Sequence, residues 1–202
     1  MSQPGSTVYL VDEDRTTRRR VDRLLTSAGY AVNPLSSGEE FLRRRPARGA
    51  SCLISELSLP GRDGLELQES LSRTSRAVPV IFLTGRASVR DSVRAMKAGA
   101  VDFLTKPFNA RELIAAVGRA LERDALERSR RRAHRRADGL ARRLTPRERE
   151  VFGLVVRGLI NKQIAYRLRI TEKTVKVHRG RVMQKMRARS LPELVRISET
   201  IS

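Results

Sequence analysis

Five short apolar runs punctuate the first 120 residues: Val8–Val11, Tyr30–Asn33, Cys52–Ser55, Val78–Leu83 and Val101–Leu104. Stretches with helical spacing separate them. Val21, Leu24, Leu25 and Ala28 share one helix face, and Val89, Val93 and Met96 recur at i, i+4 and i+7. Apolar strands that alternate with helices predict a doubly wound α/β fold, a five-stranded parallel sheet covered on both faces. In open parallel sheets the functional groups gather in the loops beyond the carboxyl ends of the strands. The residues that follow each run are therefore where chemistry is expected.

The pattern changes twice after that. From Glu122 to Arg143 it is dominated by the basic run Arg128-Ser129-Arg130-Arg131-Arg132-Ala133-His134-Arg135-Arg136. No Pro or Gly occurs there before Gly139, so a helical tether leaving the first domain is expected, with some affinity for phosphates. After Leu144, Thr145-Pro146-Arg147-Glu148 reads as a capping box with proline at the first helical position. Four short helices follow, marked by Val151/Leu154/Val155, Ile164/Ala165/Leu168, Val175/Val182/Met186 and Leu191/Leu194/Val195. The expected organisation is a sheet domain over 1–121, a basic linker over 122–143 and a small all-α four-helix domain over 144–202.

Charge locates the partner surface. The chain carries 42 Lys and Arg against 22 Asp and Glu, a net of +20. Residues 1–121 account for +6 of it and residues 122–202 for +14. That excess predicts a polyanionic partner, nucleic acid before a membrane surface, bound by the C-terminal part. No apolar run is long enough to span a bilayer, and no secretory signal is seen at the start. The single cysteine, Cys52, lies in an apolar run and is expected to be a small buried hydrophobe in a reducing cytoplasm.

The strand ends carry matching chemistry. The first ends in Asp12-Glu13-Asp14, and the third in Ser55-Glu56, followed by Leu59-Pro60-Gly61-Arg62-Asp63-Gly64. The fourth ends at Thr84 and the fifth at Thr105-Lys106-Pro107-Phe108. Carboxylates, a hydroxyl and a lysine are the parts needed to hold Mg²⁺ and stabilise a phosphoryl group. In this order and spacing, residues 7–121 resemble the receiver domain of two-component response regulators. The resemblance implies that Asp12 and Glu13 support Mg²⁺ together with the phosphoacceptor position. It also implies that Thr84 is the switch hydroxyl, Phe103 the switch aromatic, Lys106 the phosphate-contacting lysine, and Lys106–Pro107 a cis bond. The phosphoacceptor position itself aligns with Glu56, where the family has aspartate.

A glutamate there moves the carboxylate outward by one methylene. In-line phosphoryl transfer depends on positioning, so the change is expected to cost about two orders of magnitude in rate. Asp63, Ser55 and Ser58 lie nearby but off the aligned position. Three readings of Glu56 stay open. It mimics the phosphorylated state, a reading slightly preferred; it pairs with Lys106 and holds an inactive or signal-independent shape; or it has drifted in a receiver kept only as a dimerisation scaffold.

In the last domain the short helix bearing Asn161-Lys162-Gln163-Ile164-Ala165 leads through Leu168-Arg169-Ile170 to Thr171-Glu172-Lys173-Thr174-Val175-Lys176-Val177-His178-Arg179. A short helix, a tight turn and a capped basic helix form a helix-turn-helix that enters the major groove. Lys173, Lys176, Arg179 and Arg181 lie on its polar face, where they reach phosphates or guanine edges. With Leu144-Thr145-Pro146-Arg147-Glu148-Arg149-Glu150, the segment resembles the LuxR-type DNA-binding domain, and the whole chain the NarL/FixJ-like group of response regulators. That resemblance implies base contacts from Lys176 and Val177, with Lys173, Thr174, His178 and Arg179 on phosphates or neighbouring bases. It further implies a homodimer on promoter DNA, with Leu191–Ile201 as dimer contact, and a sensor histidine kinase as the possible input. Some relatives carry a basic residue one turn beyond Lys176, where this chain has Gly180.

Two other function classes are weighed. A Mg²⁺-dependent phosphatase lacks its aspartate nucleophile, and His134 and His178 form neither a metal-ligand spacing nor a nucleophile arrangement. An RNA-binding or protein-binding adaptor is disfavoured because RNA readers stack bases on aromatics, and residues 144–202 hold only Phe152 and Tyr166.

Overall fold

The computed structural model describes residues 5–45, 47–59, 61, 63–73, 77–86 and 88–201. Pro60 and Arg62 of the loop signature lie outside the described residues. The chain divides into two compact units, residues 1–128 and 129–202.

The first unit has five strands: β1 (Thr7–Val11), β2 (Ala31–Leu35), β3 (Ser51–Ser55), β4 (Val80–Thr84) and β5 (Asp102–Thr105). They pair in parallel in the order β2-β1-β3-β4-β5. The sheet is therefore doubly wound, and its topological switch point falls between β1 and β3. Helices α1 (Arg15–Ser27), α2 (Gly38–Arg43), α3 (Gly64–Ser72) and α4 (Val89–Lys97) intervene, and α5 (Ala110–Ala141) follows β5. Alternate strand residues feed two cores. Tyr9, Val11, Leu53, Val80 and Phe82 pack on one face, and Val8, Leu10, Cys52, Ile54, Ile81 and Leu83 on the other. Cys52 is fully buried, and desolvation pushes its thiol well up from its ordinary range.

Three local expectations shift. Strand β2 runs on through Pro34, which a central strand would not tolerate; β2 is an edge strand, where the missing N–H costs no ladder bond. Strand β4 starts only after Pro79. Helix α4 turns its apolar stripe outward: Val89, Val93 and Met96 are 82%, 46% and 48% exposed, while Ala95 is its buried residue. Periodicity groups residues on a face but does not say which face is covered.

Helix α5 is one continuous helix through most of the basic segment. Its residues 122–128 belong to the first unit, where Asp124 is fully buried. The Asp124 carboxylate accepts from Ser51 N at 2.7 Å and Arg128 Nε at 2.6 Å, and Arg128 also reaches Ala47 O at 3.0 Å. The helix is thus anchored to the start of β3.

The second unit adds α6 (Pro146–Val155), α7 (Asn161–Leu168), α8 (Glu172–Met186) and α9 (Leu191–Ile201) around Leu140, Val151, Ile164, Val175, Val182 and Leu194. The capping box forms as read: Glu148 N donates to Thr145 Oγ1, and Glu148 Oε2 accepts from Thr145 N at 2.8 Å. Glu148 is also buried against Lys185, whose ammonium, at 2.6 Å, holds this carboxyl below its usual range and ties α6 to α8.

Candidate functional site

Two sites emerge, one in each unit. In the first, the parallel register brings Val11 beside Ser55, so the residues after β1 and β3 meet at the switch point. Asp12 and Glu56 are both buried. Glu56 N donates to Val11 O at 2.9 Å, and its Oε1 accepts from Leu57 N at 2.8 Å. Lys106, after β5, places Nζ 2.6 Å from Asp12 Oδ2 and 2.7 Å from Glu56 Oε2. One ammonium thus bridges two carboxylates, and the Lys106–Pro107 bond that follows it is cis.

Electrostatics follow from that geometry. Burial pushes the Glu56 carboxyl up, but Lys106, the nearby Thr84 hydroxyl and the Leu57 N–H outweigh it, leaving it below its ordinary value. For Lys106, burial pulls the ammonium down, and the two carboxylates more than compensate. Thr84 is fully buried at the end of β4, and its hydroxyl donates to Arg86 O at 2.9 Å. The same hydroxyl lies near Glu56, whose carboxyl it helps to lower. Phe103 is half-buried against Phe82, with ring centroids 6.0 Å apart.

Of the expected metal set, Asp12 and Glu56 converge on Lys106. Glu13 is exposed, and Asp14 is committed to capping α1, accepting from Thr16 N and Thr17 N. The Thr17 hydroxyl bond and those two N–H groups lower the Asp14 carboxyl to about 2. Among the described residues no group of three His, Cys, Asp or Glu could hold a metal ion. Receiver domains bind Mg²⁺ at an acidic pocket of this kind, and in this chain Asp12 and Glu56 share the Lys106 ammonium there. Asp63 caps α3 through Leu65 N and Ser58 is exposed, so neither reaches the pocket.

Two further residues hold this pocket in shape, Arg18, which the sequence did not single out, and Gly64 of the loop signature. Arg18 Nη1 donates to the carbonyls of Asp12 and Glu13, fixing the loop after β1. Gly64 sits where a Cβ would lie 2.6 Å from Glu56 O and 3.0 Å from Phe82, so only glycine lets α3 approach β3 this closely. Gly64 was visible as the end of the loop signature, whereas Arg18 gave no signal that distinguished it from Arg19 and Arg20.

In the second unit, α8 exposes Lys173, Lys176, Val177 and Arg181, with Val177 49% exposed despite being apolar. Thr174, His178 and Arg179 are half-buried. Thr174 N and Oγ1 both engage the Thr171 hydroxyl, at 3.1 and 2.8 Å. Arg179 Nη1 donates to Asn161 Oδ1 at 3.1 Å, linking α8 to the start of α7. Lys176 and Gly180 are successive i, i+4 positions on the exposed face. Acting together, a helix anchored by its half-buried side and basic on its open side fits a DNA groove.

Residues 8–118 match the family described as response regulator receiver domain, and residues 142–198 that of bacterial regulatory proteins, luxR family. The chain is 45% identical over 194 residues to nodulation protein W of Bradyrhizobium diazoefficiens, covering 96% of this chain and 86% of that protein. It is 41% identical over 195 residues to the transcriptional regulatory protein FixJ of Azorhizobium caulinodans, covering 95% and 90%. Its fold superposes on the response regulator StyR with a TM-score of 0.85 at 42% identity, covering 96% of this chain and 98% of that one. With relatives that are regulators and not enzymes, the chain belongs to the DNA-binding two-component response regulators of the NarL/FixJ group, a receiver domain followed by a LuxR-type helix-turn-helix domain.

Proposed function

We propose that the chain regulates transcription as a dimer on promoter DNA, with a receiver that works without phosphoryl transfer because Glu56 holds its pocket in one charge state. The observation that carries this reading is the Lys106 ammonium held between Asp12 and Glu56 at 2.6 and 2.7 Å. The carboxylate at the acceptor position is engaged on both oxygens, by Lys106 and by Leu57 N. Thr84, Phe103 and Lys106 form the switch around it. Of the readings of Glu56, the pinned pocket gains support over the phosphate mimic, since Lys106 and Leu57 N between them hold both carboxylate oxygens. Mg²⁺ would have to compete with the ammonium for Asp12 and Glu56, and a kinase is not required as input.

On the DNA side, Lys176 and Val177 read base edges, and Lys173 and Arg181 hold phosphates. Thr174, His178 and Arg179 set the position of α8 from its half-buried side. Dimerisation is supported by the exposed α4 stripe of Val89, Val93 and Met96, an apolar surface that a monomer would leave in water, with α9 as the second contact. Residues 122–143 connect the receiver (1–121) to the DNA-binding domain (144–202). No described helix is long and apolar enough to cross a membrane, and action on promoter DNA places the protein in the cytoplasm.

The test compares the wild type, Glu56→Asp and Glu56→Ala for dimerisation and DNA affinity at stated salt, each with and without a small phosphodonor and Mg²⁺. The wild type is expected to ignore the donor, whereas Glu56→Asp responds to it. A wild type that takes up phosphate and changes affinity would overturn the reading. Glu56→Ala separates the remaining choice: weak DNA binding means the charge itself drives the output, and unchanged binding means it does not.

A further inference from the structure

Helix α8 ends on Arg187, whose φ is 55°, in the left-handed region. That position at a helix C-terminus is normally taken by Gly or Asn, because a β-carbon is disfavoured there. An exposed arginine is retained at Arg187 against the backbone preference. Arg187 has no carboxylate partner among the described residues, so no ion pair explains it. Strain kept in this way points to a use for the side chain.

The surroundings indicate the use. Arg187 and Arg189 line one side of a cleft of about 500 Å³, and Arg136 of α5 lines the other. Gln184 also lines it, and Gln184 is the next i+4 position after Lys176 and Gly180. The cleft therefore opens where the exposed face of α8 ends. Nothing lies within 4 Å of a Cβ built on Gly180, so the face is open at that position. Glu193 is the one acid lining the cleft, and its Oε2 accepts from Arg189 N at 2.8 Å. Exposed Arg132 and Arg135 extend the positive surface along α5, and residues 129–137 contain no acid. Like charges at i, i+4, as in Arg132 and Arg136, oppose the helix unless a polyanion neutralises them.

We propose that this cleft is a second DNA contact, with Arg136 from one wall and Arg187 and Arg189 from the other clamping backbone phosphates beyond the bases that α8 reads. The inference rests on the DNA-binding reading above and adds a site to it. Its contribution is electrostatic and independent of sequence, so it extends the footprint and steepens the salt dependence.

The test uses the full chain and a mixed-sequence DNA duplex, with affinity measured across a salt series. Variants are Arg187→Gly alone and the triple Arg136→Gln, Arg187→Gly, Arg189→Gln. Each lost phosphate contact should flatten the slope of log K against log salt by about 0.9, so the triple variant should lose about 2–3 units of slope. Arg187→Gly should melt no lower than the wild type, since glycine suits the left-handed position, so weaker binding cannot be assigned to unfolding. A wild type that binds the duplex, with a triple variant of equal slope, overturns the inference and leaves the DNA-binding reading standing. So does a triple variant whose affinity falls only through an altered oligomeric state, with slope unchanged by sedimentation-matched titration. A wild type that fails to bind duplex DNA removes both.

Discussion

Replacing Lys106 with methionine tests the pocket most directly. Asp12 and Glu56 each place an oxygen within 2.7 Å of Lys106 Nζ, so those oxygens are at most about 5.3 Å apart. Without the ammonium, two carboxylates at that separation repel by about 3 kcal/mol at an effective dielectric of about 20. The alternative, protonating one of them at pH 7, costs about 4 kcal/mol from an ordinary carboxylate value. Lys106→Met should therefore lose about 2–4 kcal/mol, within reach of the roughly 3–5 kcal/mol seen when a buried pair loses one partner, and reduced because the Lys106 side chain is 21% exposed. The pH dependence supplies the sign. In the wild type, the Glu56 carboxyl is lowered, so its stabilisation is present above the ordinary carboxylate value and disappears as pH falls through the folded one. In the variant, burial without the ammonium raises the Glu56 carboxyl, the folded state binds more protons than the unfolded, and stability recovers as pH falls. Urea melts followed by circular dichroism at pH 7, 6 and 5 should show the deficit shrinking in acid, and Mg²⁺ should stabilise the variant more than the wild type. A variant within about 0.5 kcal/mol of wild type at pH 7, or a deficit that does not move with pH, refutes the bridging role.

Three further substitutions probe the frame around the two sites. Gly180→Ala adds a methyl group that meets nothing within 4 Å and should raise the stability of the DNA-binding unit by about 0.5–1 kcal/mol in thermal melts. Gly64→Ala forces a Cβ to 2.6 Å from Glu56 O and should cost about 1–3 kcal/mol, read as a lower urea midpoint of the receiver unit. Thr145→Ala removes the hydroxyl that caps α6 and should cost about 1 kcal/mol, whereas Thr145→Ser should retain most of it.

The sheet was legible because its strands are short, apolar and separated by helical spacing, and the pocket because each strand end carries a chemically distinct residue. What escaped was decided by contacts between distant segments. Asp12, Glu13 and Asp14 are equivalent in sequence, yet one is buried in the pocket, one is exposed and one caps a helix. Only the turn of the chain after β1, held by Arg18, sorts them. The basic segment after Glu122 reads as a uniform tether, but Asp124 and Arg128 pin its first turns to β3 through Ser51. The six polar or basic candidates on the recognition helix look alike, and packing against α7 withdraws Arg179 to Asn161.

The same distinction bears on what Glu56 does. A phosphoryl group brings about −1.5 to −2 charges and three acceptor oxygens. Glu56 brings one charge and two oxygens, one of which is spent on its neighbour's N–H. What is left, a single oxygen, meets a lysine already shared with Asp12. Under the proposal this carboxylate is taken up in neutralising Lys106, so the pocket is balanced internally and has little pull on the switch. Control of such a regulator then falls to whatever competes for Lys106 or to the concentration that sets dimerisation. Those two routes separate in one titration: the first makes DNA affinity depend on pH in the range where the carboxylates titrate, and the second makes it depend on protein concentration alone.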